Sequence, residues 1–257
     1  MRLISETRIR SLLPAGSPGR LEASGVIAVD DHYLVIFDNL RTVARIAAGP
    51  PAATDLVETA PGPSDGYEDI ARDPLTGHIY LLVESARRNG GHQARVEEYD
   101  EKLVFLDAAW LEYPIARPNK GMEGLEVVRR DGVPYLLTLH EEEGPMVFRR
   151  GRRNWHPEAR MDIPGLADYA AVALAGDRLA VVSQESAALW TGHLDPAAWS
   201  VDAGRIDHFP RGYCTVEGVA WIAPDRVVTV SDRAKRDSQP AYCQVEEECL
   251  QIFDLAR

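Results

Sequence analysis

Hydrophobic residues along this chain fall in short runs that either alternate with polar residues or are continuous, and turn residues separate the runs. Neither pattern has the 3.6-residue period of a long amphipathic helix, so both predict β-strands. Five segments repeat one plan: small residues, an apolar strand, a turn, and a second apolar strand that ends in polar residues. Their turns carry strand-breaking pairs, namely Asp30-Asp31, Asp73-Pro74, Asp131-Gly132, Gly176-Asp177 and Pro224-Asp225.

The five segments align on one polar or small position at the head of each first strand. This alignment gives intervals of 44 to 55 residues and places in one column Ser24, Glu68, Glu123, Ala170 and Glu217. Weaker strands follow each segment, and four strands at this period are typical of a β-propeller blade. The sequence therefore predicts an all-β, five-bladed β-propeller with four-stranded blades, and one domain over residues 1–257.

The two ends of the chain indicate how the ring closes. The last unit is one strand short at its C-terminal end, and the N-terminal stretch "ISETRIRSLLP" is a strand without a blade. We predict that this N-terminal strand completes the last blade. A six-bladed propeller is the alternative, but it requires a sixth repeat that the sequence does not show.

Composition and charge limit the kinds of partner that the chain is expected to bind. The 257 residues are 45% hydrophobic and carry a formal net charge of −12, which argues against nucleic acid and suits a cation. The N-terminus has no signal-like apolar region, and no run is long enough for a membrane helix. We expect a cytoplasmic monomer without membrane contacts. The three cysteines lack CxxC spacing, which favours reduced thiols over a zinc site or disulfides.

Propeller geometry brings two sets of polar residues to one mouth of the central channel. The first set is the column; where its residue is small, in the first and fourth units, an acid stands two positions earlier, and strand alternation predicts the same side for it. The predicted metal ligands are therefore Glu68, Glu123, Glu217, Glu22 and Asp168. The second set ends the second strands and includes Asp38, Asn39, Glu84, Ser85, His140, Glu141, Gln184, Glu185, Ser231 and Asp232.

Crowded carboxylates repel one another unless a cation compensates them. Oxygen ligands without cysteine select a hard ion, so we expect Ca²⁺, with Mg²⁺ or Mn²⁺ as alternatives. A second interpretation stays open, in which the glutamates accept hydrogen bonds from neighbouring blades and only fasten the ring.

Cationic residues near the same mouth favour a small anionic substrate, such as a phosphate ester, a nucleotide or a lactone. Candidate bases for a metal-dependent hydrolase are His140 and Glu141. The alternative function is a non-catalytic binding or scaffold propeller with a structural ion. The stretches 87–95 and 232–250 are predicted to be loops that overhang the mouth. The predicted substrate-binding residues are Lys120, Arg233, Arg87, Asp38, Asn39, Glu84, Glu185 and Asp232.

Several stretches, among them "EASGVIAVDD", "KGMEGLEVV" and "VEGVAWI" with "VVTVSD", resemble the repeats of the SdiA-regulated family of bacterial propellers. That resemblance covers most of the chain and implies a propeller without a settled activity. The chain is also similar to calcium-activated nucleotidases (apyrases), which are five-bladed propellers with an acid-lined central calcium. The stretch "VEGVAWIAPDRVVTVSD" resembles regucalcin-like lactonases, which implies a metal-binding role for Glu217.

Overall fold

The computed structural model of the protein describes residues 1–17, 19–49, 54–59 and 66–255. A short helix, α1 (Ile9–Leu12), follows the first strand, and a 3-10 helix spans Ala241–Gln244. The strands in chain order are β1 (Arg2–Arg8), β2 (Ala23–Val29), β3 (His32–Phe37), β4 (Thr42–Ala47), β5 (Asp55–Glu58), β6 (Ile70–Arg72), β7 (Ile79–Arg88), β8 (Gly91–Tyr99), β9 (Phe105–Trp110), β10 (Met122–Arg130), β11 (Val133–His140), β12 (Gly144–Arg150), β13 (Trp155–Arg160), β14 (Ala171–Ala175), β15 (Arg178–Ser183), β16 (Ala188–Asp195), β17 (Ser200–Val201), β18 (Arg205–His208), β19 (Val216–Ala223), β20 (Arg226–Ser231) and β21 (Cys249–Asp254).

These strands form five antiparallel sheets, which are the blades of a ring. Blades 1 to 3 are β2 to β5, β6 to β9 and β10 to β13, each in simple up-and-down order. Blade 4 is β14, β15 and β16 with an outer edge shared by β17 and β18, and blade 5 is β19, β20, β21 and β1. The innermost strands β2, β6, β10, β14 and β19 contact one another around the axis. The prediction of a five-bladed β-propeller is confirmed, and the six-bladed alternative is wrong.

The N-terminal strand closes the ring, as the sequence predicted. Strand β1 pairs antiparallel with β21, from Arg2 opposite Asp254 to Arg8 opposite Cys249. The Asp254 carboxylate also joins the edge strand to β20, because it lies 2.7 Å from an Arg2 nitrogen and 2.6 Å from Arg226 Nε. Blade 5 therefore combines residues from both ends of the chain.

Five hydrophobic clusters fill the spaces between adjacent blades. One cluster packs Leu82 of blade 2 against Phe148 of blade 3, and another packs Val35 of blade 1 against Val228 of blade 5. The other three clusters join blades 3 and 4, blades 4 and 5, and blades 1 and 2. The apolar faces of the strands are thus buried between blades, and the axis is left to polar and small residues. Among the described residues, no helix is long and apolar enough to cross a membrane.

The predicted loop at 87–95 is wrong, because strands β7 and β8 continue through it. They are joined by the two-residue turn Asn89-Gly90, whose φ angles of 51° and 84° are both positive. This geometry matches a tight hairpin turn, for which Asn-Gly is a preferred pair. The stretch therefore extends blade 2 as a hairpin. The second predicted loop does lie between β20 and β21, and it contains the 3-10 helix.

A carboxylate-lined cavity at one mouth of the ring

A cavity of about 240 Å³ lies at one mouth of the channel. Eight of its wall residues are acidic and two are lysines. All five column positions contribute to this wall, together with residues that end or follow the second strands. The full wall is Ser24, Asp38, Glu68, Glu84, Asn119, Lys120, Glu123, Glu141, Asp168, Tyr169, Ala170, Gln184, Glu217, Asp232 and Lys235.

A β-bulge places three of the five column residues at the wall. In blade 3, Met122 pairs with His140 and Gly124 pairs with Leu139, so Glu123 is an extra residue in its strand. Ser24 and Glu217 occupy the same position in β2 and β19. Bulges bend a strand and re-aim a side chain. The bulge thus explains how a glutamate next to a buried strand reaches the cavity.

Small residues after the bulge let the inner strands approach the axis closely. A Cβ atom on Gly218 would come within 2.9 Å of Gly25 Cα, and a Cβ on Gly25 would come within 2.8 Å of Asp69 Oδ1. Side chains larger than hydrogen do not fit at these two glycines. The axis is therefore narrow directly after the column positions, and the cavity ends there.

One half of the cavity, on blades 2 and 3, contains carboxylates with partners. Glu84 Oε1 accepts a hydrogen bond from the Gly121 backbone N–H at 2.8 Å, and a further side-chain hydrogen bond joins Glu84 to Glu123. Lys120 forms an ion pair with Glu141. Desolvation still raises the pKa of Glu84 to about 7, although the Gly121 N–H, the bond to Glu123 and Lys120 oppose the shift.

The other half, on blades 1 and 5, contains two aspartates with unused acceptors. Asp38 Oδ1 and Asp232 Oδ1 are buried, and neither has a hydrogen-bond partner in the described part of the chain. Desolvation raises the pKa of Asp232 to about 7, and the Asp38 charge adds to the shift, whereas the Arg233 backbone N–H, Lys235 and Arg20 oppose it. Burial also raises the pKa of Asp38.

The three column glutamates share the same electrostatic situation. Desolvation is the largest cause that raises the pKa of each carboxyl group well above its usual range, and neighbouring carboxylates add to it. The largest such influences are that of Glu84 on Glu68, that of Glu68 on Glu123, and that of Asp232 on Glu217. Gln184 also donates a side-chain hydrogen bond to Glu217. The cavity therefore contains more carboxyl groups than its two lysines could balance if all of them were ionised, and this crowding favours their protonated forms.

The oxygen donors in the wall are of the kind that a hard metal ion prefers, but they are not arranged as a complete coordination sphere. The acids offer only oxygen atoms, as Ca²⁺ and Mg²⁺ prefer. Across the described ranges, no group of three or more His, Cys, Asp or Glu side chains is already arranged to hold a metal ion. A bound ion would therefore require the carboxylates to rotate toward it.

Two of the predicted metal ligands, Glu22 and Asp168, stand two positions before a small column residue. The structure places them differently. Asp168 is in the cavity wall, where it accepts a hydrogen bond from the Ser183 hydroxyl and another from the Glu185 backbone N–H at 3.1 Å. Glu22 is outside the wall and forms an ion pair with Arg20. Glu22 precedes β2, so strand alternation does not fix its direction.

His140 lies behind the cavity wall and not in it. The ring is buried, its Nδ1 accepts hydrogen bonds of 3.3 Å from the backbone N–H groups of Glu142 and Glu143, and it packs edge-on against Tyr113. Desolvation lowers the pKa of His140. These contacts hold the β11–β12 turn, so of the two predicted bases only Glu141 faces the cavity.

Four predicted substrate-binding residues are also absent from the wall. Arg87 and Glu185 are exposed, Arg87 in the β7–β8 hairpin and Glu185 after β15. Arg233 is half-buried beside the wall residue Asp232, and the Asn39 side chain holds the Glu22 N–H and the Arg20 carbonyl. The structure brings the other four, Lys120, Asp38, Glu84 and Asp232, into one cavity.

Two acids that fasten the blades were missed by the sequence analysis. Asp69 accepts backbone N–H hydrogen bonds of 2.8 Å from Ile70 in its own blade and from Leu125 in blade 3. Glu126 accepts an N–H from Leu174 in blade 4 at 2.8 Å. Asp69 stands one position after the column, where three other blades have glycine, and this exception was the signal that could have found it. Asp69 and Glu126 thus fasten adjacent blades, and Glu84 and the column residue Glu217 also accept hydrogen bonds from a neighbouring blade.

A disulfide bond between Cys214 and Cys243 contradicts the expectation of three reduced thiols. It ties the segment before β19 to the loop between β20 and β21. The same loop places Lys235 in the cavity wall, and Gln239 donates a hydrogen bond of 3.3 Å to the Cys214 carbonyl. The spacing of 29 residues follows no short motif, so the pairing could be found only from the folded ring. Cys249 is a buried free thiol.

Five four-stranded blades around an acidic cavity define the class of this protein as a five-bladed β-propeller with a carboxylate-lined central pocket. No protein-family model matches the sequence, and no curated protein is significantly similar to it. Solved structures do resemble the fold. Glutaminyl cyclase from Myxococcus xanthus has a TM-score of 0.56 at 12% identity, with 99% of this chain and 97% of that chain covered.

Two further solved structures are similar over most of the chain. The GH43_1 enzyme from Xanthomonas citri, complexed with xylose, has a TM-score of 0.53 at 14% identity and covers 92% of this chain and 88% of its own. A protein of unknown function from Bacteroides caccae has a TM-score of 0.53 at 11% identity, with coverages of 86% and 74%. At these identities the likeness shows the propeller fold alone.

Proposed function

We propose that the protein binds a hard divalent ion, Ca²⁺ before Mg²⁺ or Mn²⁺, in the carboxylate-lined cavity. The observation that carries this proposal is the charge imbalance of the wall, where eight acidic residues face two lysines. Desolvation, and after it the neighbouring carboxylates, raises the pKa values of Glu68, Glu123 and Glu217, and a bound cation would remove the repulsion among them. These three glutamates are the first candidate ligands.

The same site suits hydrolysis of a small anionic substrate. A bound Ca²⁺ ion supplies Lewis-acid polarisation of a phosphoryl or carbonyl oxygen. The Lys235 ammonium makes no ion pair with described residues and lies in the wall, so it can bind the anionic group. Glu141 is the candidate base because it faces the cavity, whereas His140 does not. Enzymes occur among the solved structures of this fold, which is compatible with catalysis but does not specify it.

A non-catalytic propeller with a structural ion is the second candidate, and one contact favours it. Lys120 is already paired with Glu141, so one of the two cationic groups in the wall is engaged within the protein. In that case the cavity would bind the ion alone, and the partner would dock elsewhere.

Thermal melting with and without metal tests the ion. In EDTA-treated protein, millimolar CaCl₂ should raise the melting temperature by several degrees, because a ligand that binds only the folded state stabilises it. Glu217→Gln should lose most of this shift, and Glu185→Gln, an exposed acid outside the wall, should keep it. An unchanged melting temperature of the wild-type protein with all three ions would refute the proposal.

Turnover separates the two candidates once an ion is shown to bind. The hydrolase predicts release of para-nitrophenol from para-nitrophenyl phosphate, or phosphate release from nucleoside diphosphates, that EDTA abolishes and Ca²⁺ restores. Lys235→Met should raise KM more than it lowers kcat, since the ammonium would bind the substrate anion. Ion binding without turnover on phosphate ester, nucleotide or lactone substrates supports the structural ion.

A further inference from the structure

The ring closes inside blade 5, where β1 from the start of the chain pairs with β21 from its end without a covalent link. Blades 1 to 5 follow one another along the chain, whereas blade 5 connects back to blade 1 only through its outer strand β1 and helix α1. The closure therefore depends on the pairing of β1 with β21 and on the apolar cluster between the two blades. Any group that bridges these blades near the axis would strengthen the closure.

Two aspartates, one from each of the blades that meet at this junction, line the cavity. Asp38 follows the last residue of β3 in blade 1, and Asp232 follows the last residue of β20 in blade 5. The Asp38 charge raises the pKa of Asp232, and the Asp232 charge is the strongest neighbouring influence on Glu217. Three carboxyl groups from two blades thus lie in one corner of the cavity.

The corner contains acceptors that nothing in the described chain satisfies. Asp232 is only 8% exposed, and its Oδ1 atom is buried without a hydrogen-bond partner. Asp38 Oδ1 is in the same situation. A buried carboxylate oxygen without a donor is costly, so natural sites satisfy it with a proton donor, a cation or a ligand. The Glu84 and Glu123 side of the cavity differs, because its carboxyl groups are already hydrogen-bonded.

Two nearby cationic side chains do not bond to the unpartnered oxygens of Asp38 and Asp232. Arg20 is paired with Glu22, and the Lys235 ammonium makes no hydrogen bond or ion pair with described residues. Both lie close enough to lower the pKa values of Asp38 and Asp232. They screen the two aspartates without occupying the unpartnered oxygens.

We propose that the divalent ion binds off-centre, between Asp38 and Asp232 with Glu217 as a third ligand, and that it clasps blade 1 to blade 5 at the closure of the ring. This inference rests on the proposed ion binding and specifies where the ion lies and what it does. Both unpartnered oxygens become ligands, and the metal joins blade 1 to strand β20 of blade 5, across the closure that otherwise depends on the pairing of β1 with β21.

Calorimetric titration of CaCl₂ into the EDTA-treated full chain tests the position of the ion. Asp38→Asn and Asp232→Asn preserve side-chain size, and each should weaken calcium binding at least tenfold. The exposed control Glu185→Gln, at an acid outside the wall, should not change the affinity. Removal of one charge from a repulsive cluster relieves strain in the metal-free state, so both Asn variants should fold, and thermal melting without metal checks this.

Hydrogen exchange gives the readout that is specific for a clasp. Calcium should slow exchange of the amides in β1 and β21 of the wild-type protein at least tenfold, and it should not do so in Asp232→Asn. Wild-type calcium affinity in both Asn variants, or an equal slowing of exchange by calcium in Asp232→Asn and in the wild-type protein, would overturn the clasp while the proposed ion binding stands. Absence of any calcium binding by the wild-type chain would overturn the proposed function and the clasp together.

Discussion

At the scale of single residues, the chemistry of the cavity depends on carboxyl groups that are neither fully solvated nor fully paired. Burial raises the pKa of Glu84 and of Asp232 to about 7. Such groups are partly protonated near neutral pH, and they lose their protons when a cation binds. The metal-free protein and the metal-bound protein should therefore respond differently to pH.

Glu84→Gln provides the test of these electrostatics. Because the folded-state pKa of Glu84 lies above its usual value, the folded protein holds more protons than the unfolded chain between about pH 4.5 and pH 7. The free energy of unfolding without metal should fall as pH rises through that window. Glu84→Gln, which keeps the acceptor for the Gly121 N–H, should match wild type at pH 4 and exceed it by about 1 kcal/mol at pH 8. Urea denaturation at both pH values measures this difference.

The control for that experiment is Glu185→Gln, because Glu185 is exposed and outside the cavity. Its effect on the free energy of unfolding should be small and nearly independent of pH. A Glu84→Gln protein that is less stable than wild type at pH 8 would show that the folded state compensates the Glu84 charge, and the proposed repulsion in the cavity would then be wrong.

The sequence predicted the column residues well and their neighbours poorly. Alignment of five repeats located Glu68, Glu123 and Glu217, because a repeated position in a propeller repeats its place around the axis. Glu22 lies outside the cavity wall, because it precedes its strand and alternation does not apply there. His140 was assigned to the mouth because it ends a strand, but its contacts with the following backbone turn its ring away from the cavity.

At the scale of strands and loops, Asp69 is the main fastener near the axis. Its carboxyl group is 1% exposed and accepts backbone N–H groups from two blades. Asp69→Ala would leave these donors buried without partners, at a cost of about 1 to 3 kcal/mol each. We expect a loss of more than about 2 kcal/mol in the free energy of unfolding, measured with urea.

Asp195→Ala is the matched control, because Asp195 also accepts a backbone N–H, from Ala197 at 2.9 Å, but in an exposed turn. Water can replace the lost acceptor there, so the cost should stay below about 1 kcal/mol. Equal effects of the two substitutions would contradict the fastening role of Asp69.

The disulfide predicts one free thiol per chain under denaturing, non-reducing conditions, namely Cys249. The double variant Cys214→Ser with Cys243→Ser should lower the free energy of unfolding by about 2 to 4 kcal/mol. Cys249→Ala is the control that keeps the bond. Thiol titration that finds three free groups in protein purified without reductant would refute the pairing.

The elements themselves were predictable where the repeat was strong. Hydrophobic runs and turn pairs located the first and second strands of every blade, and the search for a missing strand located β1. The polar residues of the β7–β8 hairpin predict a loop. Only the pairing of the extended ends of β7 and β8 shows that they form a hairpin. The disulfide depends on contacts between loops of one blade, for which no sequence period exists. A bonded pair is typical of oxidising compartments, so it weighs against the cytoplasmic location expected from the sequence.

At the scale of the whole molecule, the ring concentrates acids on its axis and buries its apolar surface between blades. The five inter-blade clusters stabilise the ring. Each blade contributes its column residue to the cavity wall at the mouth of the channel. Resemblances to known propeller families indicated the fold, but neither those short motifs nor the solved structures identify a substrate.

Metal content after equilibrium dialysis tests the central claim most directly. The protein, first stripped with EDTA, is dialysed at pH 7.5 against buffered calcium and then analysed for calcium per chain. We predict one calcium ion per wild-type chain and strongly reduced occupancy in the double variant Asp38→Asn with Asp232→Asn. A wild-type calcium content equal to that of the surrounding buffer would contradict the claim that the acidic cavity is a cation site.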